Sequence, residues 1–142
     1  MEAEDTIDYN IRKTWYKISK LYNRTANEYM ASMSLAMITL NIDIINGTPS
    51  TKLGPIMGME STSLTRSLKK LEKMDIIRRE TDPFDKRKTL ICLTEHGKEK
   101  REIAKQVVIN FNKQIFEEID ENEIDIFFQV LKKINRSIDK IK

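Results

Sequence analysis

Apolar and amphipathic residues recur at helical spacing from the start of the chain. Ile7, Ile11, Trp15, Ile18, Tyr22, Thr25 and Tyr29 follow one another at steps of three or four, which predicts a long first helix. The stretch from Tyr29 to Asn46 is denser in apolar residues, among them Met30, Met33, Met37, Ile38, Leu40, Ile42, Ile44 and Ile45. It reads as a buried second helix, capped by Ser32 or Ser34 and ended by Asn46-Gly47. Thr48-Pro49 offers a cap and a first-position proline, so a short third helix is expected to run to about Met57 and stop at Gly58. Gly54-Pro55 lies inside it, which predicts a distortion or a late start.

Beyond Gly58 the pattern sharpens. Between Glu60 and Met74, Leu64, Leu68 and Leu71 share one helical face, while Ser61, Thr62, Thr65, Arg66, Lys69 and Lys73 fall largely elsewhere. Ile76 to Thr81 and Lys88 to Leu93 are short β-branched and apolar runs on either side of Asp82-Pro83-Phe84-Asp85-Lys86-Arg87, the pattern of a two-stranded hairpin. Thr94 can cap the following helix, along which Ile103, Val107, Phe111, Ile115 and Ile119 recur at steps of four. Asp120 to Glu123 interrupts that helix. Ile124, Phe127, Leu131, Ile134, Ile138 and Ile141 then form a coiled-coil-like seam on a last helix. No internal repeat or low-complexity linker divides the chain, so a single domain over residues 1–142 is expected.

Composition narrows the function more than the fold. With 39% apolar residues, 33% charged residues and ten aromatics, the 142-residue chain can build one core beneath a heavily charged surface. Its longest run without a charge, Tyr29 to Ile42, is 14 residues, short of the roughly 18 a membrane span needs. No membrane partner is expected. The acidic start Met1-Glu2-Ala3-Glu4-Asp5 does not resemble an export signal, so a cytoplasmic location is expected. Cys92 is the one cysteine and His96 the one histidine, which excludes an internal disulfide and a Cys/His zinc site within one chain. No serine or cysteine lies within three residues of His96, and no glycine-rich phosphate loop is present. The chain offers no catalytic constellation, and neither cofactor nor metal is expected. Glu117 to Asp125 carries six acids and no base, which reads as a solvated helix junction rather than a metal site.

The order helix, glycine turn, amphipathic helix, strand, basic turn, strand is that of a helix-turn-helix followed by a wing. A helix entering the major groove of DNA needs short hydrogen-bonding side chains near its start and cations along its flank, to read base edges and neutralise phosphates. Ser61, Thr62, Ser63, Thr65 and Arg66 meet the first need, and Lys69, Lys70 and Lys73 the second. Ser61 to Leu90 holds nine Lys/Arg against five Asp/Glu, a local balance of +4, whereas the whole chain carries +3. The positive charge sits in the proposed reader.

These residues resemble the MarR family of winged-helix transcription regulators. The resemblance rests on Glu60-Ser61-Thr62-Ser63-Leu64-Thr65-Arg66, Leu68, Leu71-Glu72, Asp82-Pro83-Phe84-Asp85-Lys86-Arg87 and Leu93-Thr94-Glu95-His96-Gly97. It covers about Leu53 to Gly97 by motif, and the flanking helices by order and length. It implies that Arg87 reaches the minor groove, with Asp85 orienting the wing and Lys86 beside it. It implies also that the terminal helices, about residues 5–33 and 98–142, form a homodimer around a DNA-binding region at about 34–97. Many members of the family hold a small-molecule effector between dimer and reader regions. Trp15, Met30, Met33 and Met37 are the candidates here, although core packing explains their spacing without a ligand. Two positions depart from the family pattern: Asp75, where the recognition helix usually ends in glycine, and Gly54-Pro55.

The reading is therefore a mainly α chain with a small β-hairpin wing, acting as a homodimeric, sequence-specific binder of double-stranded DNA. The alternative is a winged-helix protein-interaction module that has lost DNA binding. An enzyme stands third. Cys92, in an apolar strand, is expected to be an inert buried thiol.

Overall fold

The computed structural model describes residues 1–142. Its first helix, α1 (Ile7–Ala26), ends one turn earlier than the periodicity suggests. The chain then turns through Ala31, at φ 76°. Asn23 Oδ1 accepts the Met33 amide at 2.9 Å and Ser32 Oγ accepts that of Leu35 at 3.3 Å, which together start α2 (Met33–Leu40). Of the two candidate caps, Ser32 is the one used.

The apolar run of the second helix does not continue to Asn46. Asn41 Nδ2 donates to the Met37 carbonyl at 2.8 Å, and the Asp43 carboxylate accepts the amides of Ile45 and Asn46 at 2.9 Å each. These side chains outcompete the helical ladder, and Ile44 and Ile45 end on an exposed turn rather than in a helix core. Thr48 likewise serves another purpose than capping. Its Oγ1 accepts the Asp43 amide at 2.8 Å, and Thr48–Pro49 form a short strand, β1, ahead of α3 (Ser50–Met57). Helix α3 continues through Pro55 for two residues and stops at Gly58, which adopts φ 61°.

Helix α4 (Ser61–Lys73) follows after a short turn, then β2 (Ile77–Thr81) and β3 (Thr89–Leu93). The wing strands pair antiparallel from Ile77 opposite Leu93 to Thr81 opposite Thr89. The sheet has three strands rather than two, in the order β1-β3-β2, because Thr48 and Pro49 pair with Ile91 and Leu90 on the other edge of β3. Proline is tolerated there because β1 is an edge strand.

Leu64, Leu68 and Leu71 of α4 are buried with Ile38, Leu53, Ile76 and Ile91 in one core. Each such leucine contributes roughly 1.5–3 kcal/mol relative to leaving it in water. Thr94 closes this region: its amide and hydroxyl donate to the Ile76 carbonyl, the hydroxyl also reaches Asp75 O, and Oγ1 accepts the Gly97 amide at 2.9 Å. That last bond caps α5 (Glu95–Glu118), as the sequence predicts. A break at Ile119 and Asp120 precedes α6 (Glu121–Asp139).

The chain divides into two compact units, Met1–Lys105 and Gln106–Lys142. The first contains the helix-turn-helix, the sheet and every buried side chain; the second, made of the last part of α5 and of α6, buries none. No helix is long and apolar enough to cross a membrane.

Candidate nucleic-acid interface

Burial of the leucine face fixes which way the rest of α4 points. Ser61, Thr62, Thr65, Arg66, Lys69, Lys70 and Lys73 are all exposed, and Ser63 is half-buried. None of the four cations is held in an ion pair, so their charge is available to a polyanion. Thr65 donates its hydroxyl to Ser61 O at 2.8 Å, which leaves the oxygen free to accept a bond from outside.

The two ends of α4 are made differently. At the start, Glu60 is extended and its side chain makes no cap, so the first-turn amides have no capping side chain. At the end, Asp75 adopts φ 58°, with its amide bonded to Glu72 O at 3.0 Å and the Ile76 amide to Leu71 O at 2.9 Å. This pair of hydrogen bonds marks a left-handed helix stop, a place suited to glycine and tolerated by aspartate. The departure at Asp75 thus keeps the geometry that glycine would give.

Three of the nine cations counted from Ser61 to Leu90 are paired within the protein, Arg87 in the wing turn and two arginines on β2. Arg79 Nε bonds Glu72 Oε1 at 2.7 Å, tying β2 to α4. Arg78 bonds Glu80 at 2.9 Å and the Leu93 carbonyl at 2.8 Å, bracing β2 against β3. Sequence reading counts these arginines as surface charge and misses their structural bonds. It also misses Ser34 and Ser67, which with Gly58, Met59, Glu60, Ser63, Arg66 and Lys70 line a cleft of about 540 Å³ beside α4. Helical spacing could have found Ser67, four residues after Ser63 on the same face, but no local signal brings Ser34 there.

The wing turn is organised by two carboxylates. Asp82 Oδ1 accepts the amides of Phe84 at 2.8 Å and Asp85 at 3.3 Å. Asp85 accepts the Arg87 amide at 3.1 Å and grips its guanidinium at 3.2 and 3.4 Å. The Arg87 hydrogen bonds, first the side chain and then the amide, hold the Asp85 carboxyl below its usual range. Lys86 is exposed and the Arg87 side chain is 91% exposed, so the grip orients the arginine without covering it.

Other candidates are placed elsewhere. Met30 is 1% exposed in the core; Met33 and Met37 are half-buried on α2, and Trp15 is 47% exposed on α1. None of the four lines the cleft beside α4. His96 is exposed. Cys92 is buried, and desolvation, then the charge of Glu80, pushes its thiol pKa up, so it stays protonated and unreactive at neutral pH.

Comparison with known proteins matches residues 37–89 to the model of the MarR family. The chain is 33% identical over 100 residues to the HTH-type transcriptional regulator SarZ of Staphylococcus aureus, covering 68% of each. SarZ of Staphylococcus saprophyticus is 29% identical over 98% of this chain and 94% of its own length. The HTH-type regulator YdgJ of Bacillus subtilis is 30% identical over 86 residues, and there the chain spans about half (52%) of the relative. Among solved structures, the Staphylococcus aureus MepR–DNA complex shares the fold at a TM-score of 0.84 and 16% identity, covering 93% of this chain and 98% of that one.

Proposed function

The chain belongs to the MarR family of transcription regulators, and on that premise we propose that it is a cytoplasmic, homodimeric, sequence-specific reader of double-stranded DNA with no catalytic activity. One observation carries the reading: α4 buries all three leucines of one face and presents hydroxyls and four unpaired cations on the other. A protein-docking helix would instead present apolar anchors.

In this reading Ser61, Thr62, Ser63, Thr65 and Arg66 meet base edges in the major groove, and Lys69, Lys70 and Lys73 hold phosphates. Arg87, oriented by Asp85 and flanked by Lys86, enters the minor groove, where a cation is attracted without needing a unique base code. Dimerisation is supported by the uncovered apolar side chains of residues 106–142. Ile115, Ile126, Phe127, Phe128 and Ile138 are all 40% or more exposed, a cost in water that a second copy would remove. The whole chain then works as one domain, with about 34–97 binding DNA and about 5–33 and 98–142 joining the copies. A small-molecule effector would act by changing the spacing of the two recognition helices. Of the residues assigned to it, Trp15, Met33 and Met37 keep exposed surface, whereas Met30 needs rearrangement to take part.

The test is selection of bound sequences from random duplex DNA at fixed salt, with wild type, Arg66→Ala and Arg87→Ala. A palindrome enriched by wild type and degraded in the variants is expected. No enrichment, with no salt-dependent binding, would put a protein-interaction module in its place.

A further inference from the structure

Phe84 stands at the tip of the wing turn with 96% of its surface in water. A phenylalanine side chain so placed contributes nothing to the core, and it makes no ring contact within the chain. The turn does not need it. Asp82 Oδ1 takes its amide, Asp82 N donates to Lys88 O at 3.0 Å, Lys88 N donates to Asp85 O at 3.0 Å, and Asp85 takes the Arg87 amide. All of these bonds are made by backbone and carboxylates, so a polar residue at position 84 would leave the turn intact.

Three cations follow in sequence, Lys86, Arg87 and Lys88, and neither lysine is held in an ion pair. The surface that would cover Phe84 must therefore be polyanionic and yet apolar at close range. The walls of the DNA minor groove combine these properties: phosphates line the rim and deoxyribose carbons face inward, open to apolar side chains as well as to arginine. We infer that Phe84 is a DNA-contacting residue whose ring packs on the deoxyribose walls of the minor groove beside Arg87. The inference rests on the DNA-reading role proposed above. The carboxylate-pinned turn carries ring and guanidinium together: Arg87 supplies the electrostatic part of the contact, and Phe84 a part insensitive to salt and to base identity.

The experiment measures affinity for the selected duplex against salt concentration by fluorescence anisotropy, for wild type, Phe84→Ala, Phe84→Leu and Arg87→Ala. Phe84→Ala is expected to bind about tenfold more weakly, the worth of covering part of one ring. Its salt slope should equal that of wild type, its melting temperature should be unchanged, and Phe84→Leu should recover most of the loss. Arg87→Ala should instead flatten the slope by about one unit. The inference is overturned by Phe84→Ala binding within about twofold of wild type. It is also overturned by a loss that comes with a flatter slope, which would make the ring a support for the cations, or with a smaller oligomer, which would place it in a protein contact. If wild type itself shows no salt-dependent duplex binding, the DNA-reading role fails first and this contact with it.

Discussion

Two regions of this molecule carry the same sequence signal and meet different fates. In α4 the stripe Leu64, Leu68, Leu71 is buried by the chain's own sheet and helices. In α6 the stripe Phe127, Leu131, Ile134, Ile138 runs at the same spacing, yet Phe127 and Ile138 are exposed and the other two only half-buried. Apolar periodicity specifies a face, not what covers it. A stripe covered within the chain contributes to folding and turns the opposite face outward for use. A stripe left open contributes little to folding, since the same hydrophobic gain is realised only when a second surface arrives.

The contrast can be broken hardest at Gly97. A Cβ there would overlap the Ile76 carbonyl oxygen, and backbone rather than a flexible side chain would have to yield. Gly97→Ala should destabilise the first unit by about 3 kcal/mol, read as a lower urea midpoint. An unchanged midpoint would mean that α5 does not dock against β2 as closely as described.

Phe127→Asp addresses the other side. A charge on an open stripe should leave helix content intact but weaken self-association by more than about tenfold, measured by light scattering across concentration. Loss of helix instead would show the stripe to be needed for folding, and the comparison would dissolve.

Asp75→Gly is a smaller and favourable change. Relieving a left-handed aspartate should add about 0.5 to 1 kcal/mol in thermal or urea unfolding while preserving DNA selectivity. A destabilisation would show that the aspartate does more at this helix end than occupy a glycine's conformation.

The finest effect is that of pH on the wing. Because Arg87 holds the Asp85 carboxyl below its usual value, the grip is fully present above the unfolded value of about 3.9. It is lost as pH falls through the lower folded value. Wing order should therefore be constant from neutral to mildly acid pH and decline only below about pH 4, with the Arg87 guanidinium NMR signals moving as Asp85 is protonated. Arg87 signals that stay fixed while Asp85 is protonated would contradict the pairing.

What the sequence makes legible follows the same division. The recognition helix, wing strands, Thr94 cap and Gly58 stop are local: periodicity, β-branched runs and turn chemistry name them without knowledge of the rest of the chain. Errors arise where a side chain's partner lies outside the window being read. Helix α2 ends early because Asn41 and Asp43 capture backbone groups, and β1 escapes notice because Thr48 and Pro49 pair with residues some forty positions on. In the interface, exposure of the hydroxyls and lysines follows from the leucine spacing. The retention of Arg78 and Arg79 by Glu80, Glu72 and Leu93 does not, since it depends on how β2 lies against α4 and β3.

Hydroxyl-radical and methylation-protection footprinting on the selected duplex asks whether α4 and the wing read DNA while the open stripes pair two such readers. Two symmetric major-groove contacts are expected one helical turn, about 10 base pairs, or a multiple of it apart, each flanked by a minor-groove protection. A single unpaired contact, or uniform protection without symmetry, would contradict that arrangement.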